Sequence, residues 1–454
     1  MILTVYRIFC DLSARAHTLS HPLRVALQNV GCKLNAYEVE ALSHGFDRRG
    51  YEIVSFDEPA DIYVVNTCTV TGSGDSDSRK AVRRARRSNP EATVVATGCY
   101  AQRRPEELSA AGADLVVGNG EKAQLIDRLQ AHQSGDAELR LCSDTPPHTE
   151  AFLSIDGLVD GGRTRGMLQV QDGCDEHCTY CIIPSVRGQS VSRPGKQIIE
   201  QARSMVAAGY RELALTGVHT GSYGYDVGNR SGLVHLLEEL DQVDGLDRIR
   251  LNSVEPAYVS DALIAYAAQS DKFCRHFHIP LQSGSDSVLK RMGRHYDSAY
   301  YAGRIHQIAE ALPGCAIGAD VMVGFPGEDA VYFQETYDLL AALPMTYLHV
   351  FPFSLREGTP AQKLPAPCDS ATKKERGQKL IELGKEKRLA FHQQLVGQSL
   401  TPLVEDRTDA HTGLRVGLSD NYVRVLFDGA ATPNEIVEVR IHQAREDLVF
   451  GEPV

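Results

Sequence analysis

Gly173-Cys174-Asp175-Glu176-His177-Cys178-Thr179-Tyr180-Cys181 puts three thiols at CxxxCxxC spacing on one short stretch. Thiolates are the usual ligands of iron–sulfur clusters, and a loop this tight can wrap one face of a cluster. Three protein ligands on a four-iron cube leave one iron open, as a catalytic metal needs and a structural one does not. Zinc is the alternative. A structural zinc site takes four ligands, however, and His177 would complete one only by turning inward from between two thiols. Iron–sulfur is the favoured reading, ahead of zinc or inert thiols.

Cys32, Cys68 and Cys99 form a second candidate group, 36 and 31 residues apart. Each follows the carboxyl end of a predicted strand by one or two residues. The ends of parallel strands share one sheet edge, so these thiols can converge in space. Taken singly, each is most simply a small buried hydrophobe. Their equivalent positions favour a second cluster, again with three protein ligands and an open iron. Cys10, Cys142, Cys274, Cys315 and Cys368 show no such grouping and are assigned to packing or surface.

The elements that must position these thiols read as alternating strands and helices, an α/β pattern. Strands are predicted at 24–30, 51–56, 61–66, 92–97 and 114–117, with helices at 36–49 and 75–87, in a domain spanning 24–140. Residues 141–165 read as a linker rich in Pro and Gly, and residues 1–23 as an extension expected to be disordered. A longer series fills 166–392. Six strands (167–170, 212–215, 248–252, 277–280, 316–323 and 347–351) alternate with helices, which suggests a partial (β/α)6 barrel. The CxxxCxxC stretch follows the first of these strands, at the barrel end where active sites form. After a charged helix at 372–395, short strands at 399–404, 414–418, 422–427 and 436–441 read as a small antiparallel β-barrel over 393–454.

A chain of 454 residues suits about three domains. With 43% apolar and 23% charged residues, it excludes collagen, coiled coil and bulk disorder. No stretch supplies the roughly 20 apolar residues of a membrane span. Arg7, Asp11 and Arg15 interrupt any signal peptide, and eleven cysteines, an odd count, read as reduced cytoplasmic thiols. The net charge of −12 disfavours a whole-surface nucleic-acid binder but leaves room for local basic patches.

Gly31-Cys32-Lys33-Leu34-Asn35, Asn66-Thr67-Cys68-Thr69-Val70-Thr71, Thr97-Gly98-Cys99-Tyr100-Ala101-Gln102 and the CxxxCxxC loop together resemble the radical S-adenosylmethionine (SAM) methylthiotransferases. The resemblance covers about residues 24–454. It implies an N-terminal cluster domain, a radical SAM barrel and a C-terminal RNA-binding TRAM barrel. The Gly-Cys-Lys-Leu-Asn form and Leu215-Thr216-Gly217-Val218-His219-Thr220-Gly221 resemble the MtaB type. That type methylthiolates C2 of N6-threonylcarbamoyladenosine at position 37 of tRNA. On this resemblance Cys174, Cys178 and Cys181 hold a catalytic [4Fe–4S] cluster that binds SAM, and Cys32, Cys68 and Cys99 hold an auxiliary one. One SAM serves as methyl donor and one as radical source. Flavodoxin or ferredoxin is the implied kind of electron donor. The target C–H is not acidic, so a positioned base could not remove its proton usefully, and radical chemistry from a cofactor is required.

Tyr180, Thr216, Gly217, Ser253, Glu255 and Gly324 are the candidate SAM contacts. The first lies between two cluster thiols, the next four end the second and third barrel strands, and Gly324 sits in Val323-Gly324-Phe325-Pro326-Gly327-Glu328, which resembles the family's adenine platform. His276 and His278 share one face of a strand; a core pair is favoured over a substrate-lining one. Arg79, Lys80, Arg83, Arg84, Arg86 and Arg87, Arg103 with Arg104, and the lysines and arginines of 373–388 are candidate phosphate contacts for a tRNA anticodon loop. Residues 397–454 hold five Arg, no Lys and ten acidic residues, an unexpected balance for an RNA module, with Arg415, Arg424 and Arg440 as its candidate contacts. Two alternatives stay open: the same chemistry on isopentenyladenosine in tRNA or on a ribosomal-protein aspartate, and a non-catalytic iron–sulfur protein that binds RNA or senses redox state.

Overall fold

The computed structural model describes residues 21–134, 151–155 and 164–454. Most of the expected extension and linker, with Cys10 and Cys142, lies outside the described residues.

Strands β1 (Arg24–Asn29), β2 (Glu52–Val54), β3 (Ile62–Thr67), β4 (Thr93–Gly98) and β5 (Leu115–Val117) form an all-parallel sheet in the order β2-β1-β3-β4-β5. Central β3 is buried at every position, as expected where helices cover both faces. Its alternate residues feed two cores: Tyr63 and Val65 on one face, Ile62 and Val64 on the other. The crossover helix Gly72–Ser88 begins where Thr71 Oγ1 accepts a hydrogen bond from Gly74 N (3.2 Å), and it stops short of Pro90. Because the sheet is parallel, the carboxyl ends of β1, β3 and β4 lie side by side.

The second unit opens with β6 (Gly166–Gln169). β7 (Gln171–Asp172) and β8 (Val191–Ser192) then pair as a short antiparallel ribbon that brackets the CxxxCxxC loop. β9 (Glu212–Thr216), β10 (Arg248–Leu251), β11 (His276–His278), β12 (Ala316–Val323) and β13 (Tyr347–Pro352) follow. They give two three-stranded parallel sheets, β10-β9-β6 and β11-β12-β13, joined by a parallel bridge between Ile249 and Phe273. This is the open six-stranded barrel that the alternation of elements suggested. Leu168, Leu215, Ile249, Phe277, Ile317 and Val321 fill its core.

Helix Ser370–Gln394, capped by Asp369 Oδ1 accepting from Thr372 N (2.9 Å), leads to the last unit. β14 (Ser399–Leu400), β15 (Leu403–Thr408), β16 (Arg415–Leu418), β17 (Arg424–Phe427), β18 (Val439–Ala444) and β19 (Val449–Pro453) make a mainly antiparallel sheet ordered β14-β18-β19-β17-β16-β15. It curls into a half-barrel over Val404, Val425, Phe427 and Val439. Six strands replace the four expected. Pro402, with no N–H to donate, divides the first. β19, absent from the expected strands, carries Gly451 and Pro453, residue types that favour turns, yet pairs parallel with β17.

The units are locked together by buried arginines. Arg250 pairs with Glu212 (2.6 Å) and donates to the carbonyls of Ser419 and Asp420 in the half-barrel (both 3.0 Å). Arg356 reaches from the barrel to Asp75 in the first unit (2.5 Å).

Candidate active site

Cys32 caps helix Lys33–Asp47, Cys68 directly follows β3, and Cys99 starts the helix that follows β4. All three line one cavity of ≈ 360 Å³, together with Arg187, Thr216, Gly217 and Ser253. Gly31 permits this convergence. Its φ is +106°, and a Cβ there would lie 2.6 Å from Cys68 Cβ and 2.7 Å from Cys68 Sγ.

Arg187 is fully buried beneath the trio. Its NH1 donates to Glu38 (2.9 Å) and Asp172 (3.0 Å), NH2 to Asn35 Oδ1 (2.8 Å), and Nε to Cys99 Sγ (3.2 Å). Lys122 adds a second cation on Glu38 (2.6 Å). Burial alone would raise the Glu38 carboxyl, but Arg187 and Lys122 hold it down at about 2. Burial also pushes the Cys68 thiol up to about 11, a backbone hydrogen bond at Val70 and the Arg187 charge offsetting only part of it, while Cys32 is exposed at the cavity rim.

The second trio has a matching arginine. Arg294 NH1 donates to Cys178 Sγ (3.0 Å) and its other nitrogen pairs with Glu255, while Glu176 N donates to Cys174 Sγ (3.4 Å). Burial pushes Cys174 up to about 12 and Cys181 up to about 11. Six residues after Cys181 the chain reaches Arg187, on helix Ile183–Arg187. Ile182 and Val186 beside it pack directly on Cys99. Thiols raised this way make poor isolated anions; a bound group that brings positive charge lets them ionise, which fits both trios to iron–sulfur clusters. Cys274, Cys315 and Cys368 lie instead beside Arg250, Arg275 and Arg376.

The six candidate SAM positions divide. Thr216, Gly217 and Ser253 face the cavity. Glu255 sits against Arg294, which also donates to Cys178. Tyr180 turns edge-on to Phe325 (6.3 Å). Gly324, at φ +75°, gives its N–H to Glu328 (2.9 Å), and a Cβ there would strike the Lys373 side chain. His276 and His278 are buried and also line the cavity, sharing the Tyr347 hydroxyl (2.8 and 3.1 Å). Core and lining roles are therefore not exclusive here. Tyr422 of the half-barrel stacks on His276 (4.3 Å) with its own φ at +62°. Arg187, Arg294, Tyr347 and Tyr422 escaped the sequence reading.

Much of the basic charge is used internally. Arg86 donates to the carbonyls of Pro90, Ala92 and Gly112, Arg103 donates to the Glu357 carbonyl (3.0 Å), and Arg376 is buried on Glu328 (2.6 Å). Arg83 and Arg87 remain exposed on the helix after Cys68. Among the described residues no helix is long and apolar enough to cross a membrane.

Residues 24–118 match the family described as Uncharacterized protein family UPF0004, residues 168–340 the Radical SAM superfamily, and residues 393–454 the TRAM domain. The threonylcarbamoyladenosine tRNA methylthiotransferase MtaB of Bacillus subtilis is 40% identical over 425 residues, covering 92% of this chain and 94% of that protein. The chain belongs to the radical SAM tRNA methylthiotransferases. The protein of the same name from Aquifex aeolicus is 37% identical, covering 92% of this chain and all of its own length. A tRNA-2-methylthio-N(6)-dimethylallyladenosine synthase of Desulforamulus reducens is 33% identical over 437 residues, at 94% and 95% coverage. The radical SAM methyltransferase TsrM of Kitasatospora setae shares the fold, with TM-score 0.56 at 17% identity over 75% of this chain and 77% of its own. As a radical SAM methylthiotransferase, the enzyme uses a [4Fe–4S] cluster and SAM to modify tRNA.

Proposed function

We propose that this methylthiotransferase acts on C2 of N6-threonylcarbamoyladenosine at position 37 of tRNA, in the anticodon loop. The observation that carries the proposal is that Cys32, Cys68 and Cys99 line one cavity at the barrel mouth, with Ile182 and Val186, which follow the CxxxCxxC stretch, packed on Cys99, in a chain similar to relatives named for that substrate. In this reading Cys174, Cys178 and Cys181 hold the catalytic cluster and Cys32, Cys68 and Cys99 an auxiliary one. Clusters held there would supply one-electron reduction of SAM at the first trio and a sulfur atom for transfer at the second, with SAM also the methyl source.

The chain's own residues bind, orient and shield. Thr216, Gly217, Ser253 and Glu255 contact SAM, with Tyr180 and Gly324 completing its site. Arg187 and Arg294 each set an N–H against one ligand sulfur and limit the negative charge there. The apolar packing of Ile182 and Val186 on Cys99 keeps water out from between the trios. Residues 24–140 act as the auxiliary-cluster domain, 166–392 as the radical SAM core and 393–454 as the RNA-binding module, with Arg415 and Arg440 as its cations toward phosphate and Arg424 paired instead with Asp409 (3.2 Å). The target base leaves its stack to enter the cavity. A flavodoxin- or ferredoxin-like donor supplies electrons, and the substrate implies a cytoplasmic enzyme.

Nucleoside mass spectrometry of tRNA from a deletion strain tests this. The methylthio form of threonylcarbamoyladenosine should vanish and its unmodified form should accumulate. If the methylthio form of isopentenyladenosine vanishes instead, the substrate assignment is wrong, and the similarity to the synthase of that second class explains why.

A further inference from the structure

Three potential metal ligands outside both thiol trios meet on adjacent parallel strands of the barrel. His278 ends β11, Asp320 lies on β12 and His349 on β13. Asp320 is in register with His349, and His278 pairs with Gly318, two residues before Asp320 and on the same face. One carboxylate oxygen, Oδ1 of Asp320, faces His278 Nε2 at 3.0 Å and His349 Nδ1 at 3.3 Å. One ligand atom from each residue lies within 4.8 Å of the other two. All three residues line the cavity that holds Cys32, Cys68 and Cys99.

We infer that His278, Asp320 and His349 form a binding site for a divalent first-row transition-metal cation, distinct from the cluster sites. Two histidines and one carboxylate on one side of a metal are the donor set of facial-triad centres, which leave the remaining positions open. Ligands about 2.1 Å from a metal stand about 3.0 Å apart along an octahedral edge and about 3.4 Å along a tetrahedral one, and the two Asp320 separations fall in that range. The other ring nitrogen of His278 meets the Tyr347 hydroxyl at 3.1 Å, the outer contact that orients a ligating imidazole. His349 is 57% exposed, so a cation has a way in from solvent. The open positions would face the cavity, where a cation could anchor a carboxylate or carbonyl oxygen of its occupant.

Mn2+ is the suitable probe, because it prefers nitrogen and oxygen donors and competes poorly for cysteine. Anaerobically reconstituted holoenzyme should be titrated with Mn2+ alone while the free-ion electron paramagnetic resonance signal is recorded. We expect one Mn2+ bound per chain, with binding weakened by at least about tenfold in His349→Ala and in the near-isosteric Asp320→Asn. Iron content equal to wild type establishes that each variant is folded, and His349, being exposed, is the safer of the two. No bound Mn2+ up to millimolar concentration, or binding unchanged in both variants, overturns the proposal. Because the readout is metal binding and not methylthiolation, it stands apart from the substrate assignment.

Discussion

Arg187 donates from Nε to Cys99 Sγ across 3.2 Å while its NH1 and NH2 hold Glu38, Asp172 and Asn35, so one buried guanidinium ties the barrel to the amino-terminal sheet and to a candidate cluster ligand. Removing it would leave two buried carboxylates with too few partners. Arg187→Met is expected to lower stability by about 3–5 kcal/mol, the usual cost of breaking a buried ion pair from one side. Urea unfolding of the wild type and variant measures this. A loss below about 1 kcal/mol would mean that the network contributes little to the fold.

The same network fixes a pH dependence. Glu38 is held at about 2 in the folded chain against an ordinary value of 4.5. Between those values the unfolded chain binds more protons, so the stabilisation from Glu38 is complete above about 4.5 and is lost as pH falls toward about 2. The stability difference between wild type and Glu38→Gln should stay constant from about pH 7 to about pH 5 and shrink below that. A gap that widens on acidification would contradict the assignment.

Gly31 lies against Cys68 at φ +106°. Gly31→Ala combines backbone strain with a collision against the Cys68 thiol, a proposed cluster ligand, expected to cost about 1–3 kcal/mol and to displace Cys68. Iron analysis should show loss confined to the amino-terminal trio, with SAM cleavage retained. Undiminished iron would mean that the loop adjusts freely.

Which parts of this arrangement were legible beforehand follows from the physics of each. Cys32, Cys68 and Cys99 could be grouped because parallel strands deliver their ends to one edge, so the alternation of elements carries spatial information. Arg187 and Arg294 could not, since nothing local distinguishes a guanidinium that reaches a sulfur from one in water. The basic clusters carry the same ambiguity: Arg103 finds its carbonyl partner 254 residues away, at Glu357, whereas Arg83 and Arg87 stay exposed. In the half-barrel, Pro402 and the Gly451–Pro453 segment carry turn chemistry inside paired strands, which masked two of the six.

Arg250 joins Glu212 in the barrel to the carbonyls of Ser419 and Asp420 in the half-barrel. Arg250→Met should loosen that docking and speed limited proteolysis of the 393–454 unit. It should raise the KM for tRNA more than it lowers tRNA-independent SAM cleavage. Equal protease sensitivity in both proteins would place the docking energy elsewhere.

The iron content of Cys68→Ala, read beside SAM cleavage and tRNA methylthiolation, tests the two-cluster account most directly. The account expects about eight irons in the wild type and about four in the variant. The variant should still form 5′-deoxyadenosine but yield no methylthiolated tRNA. A variant that keeps all its iron, or that still methylthiolates tRNA, would contradict it.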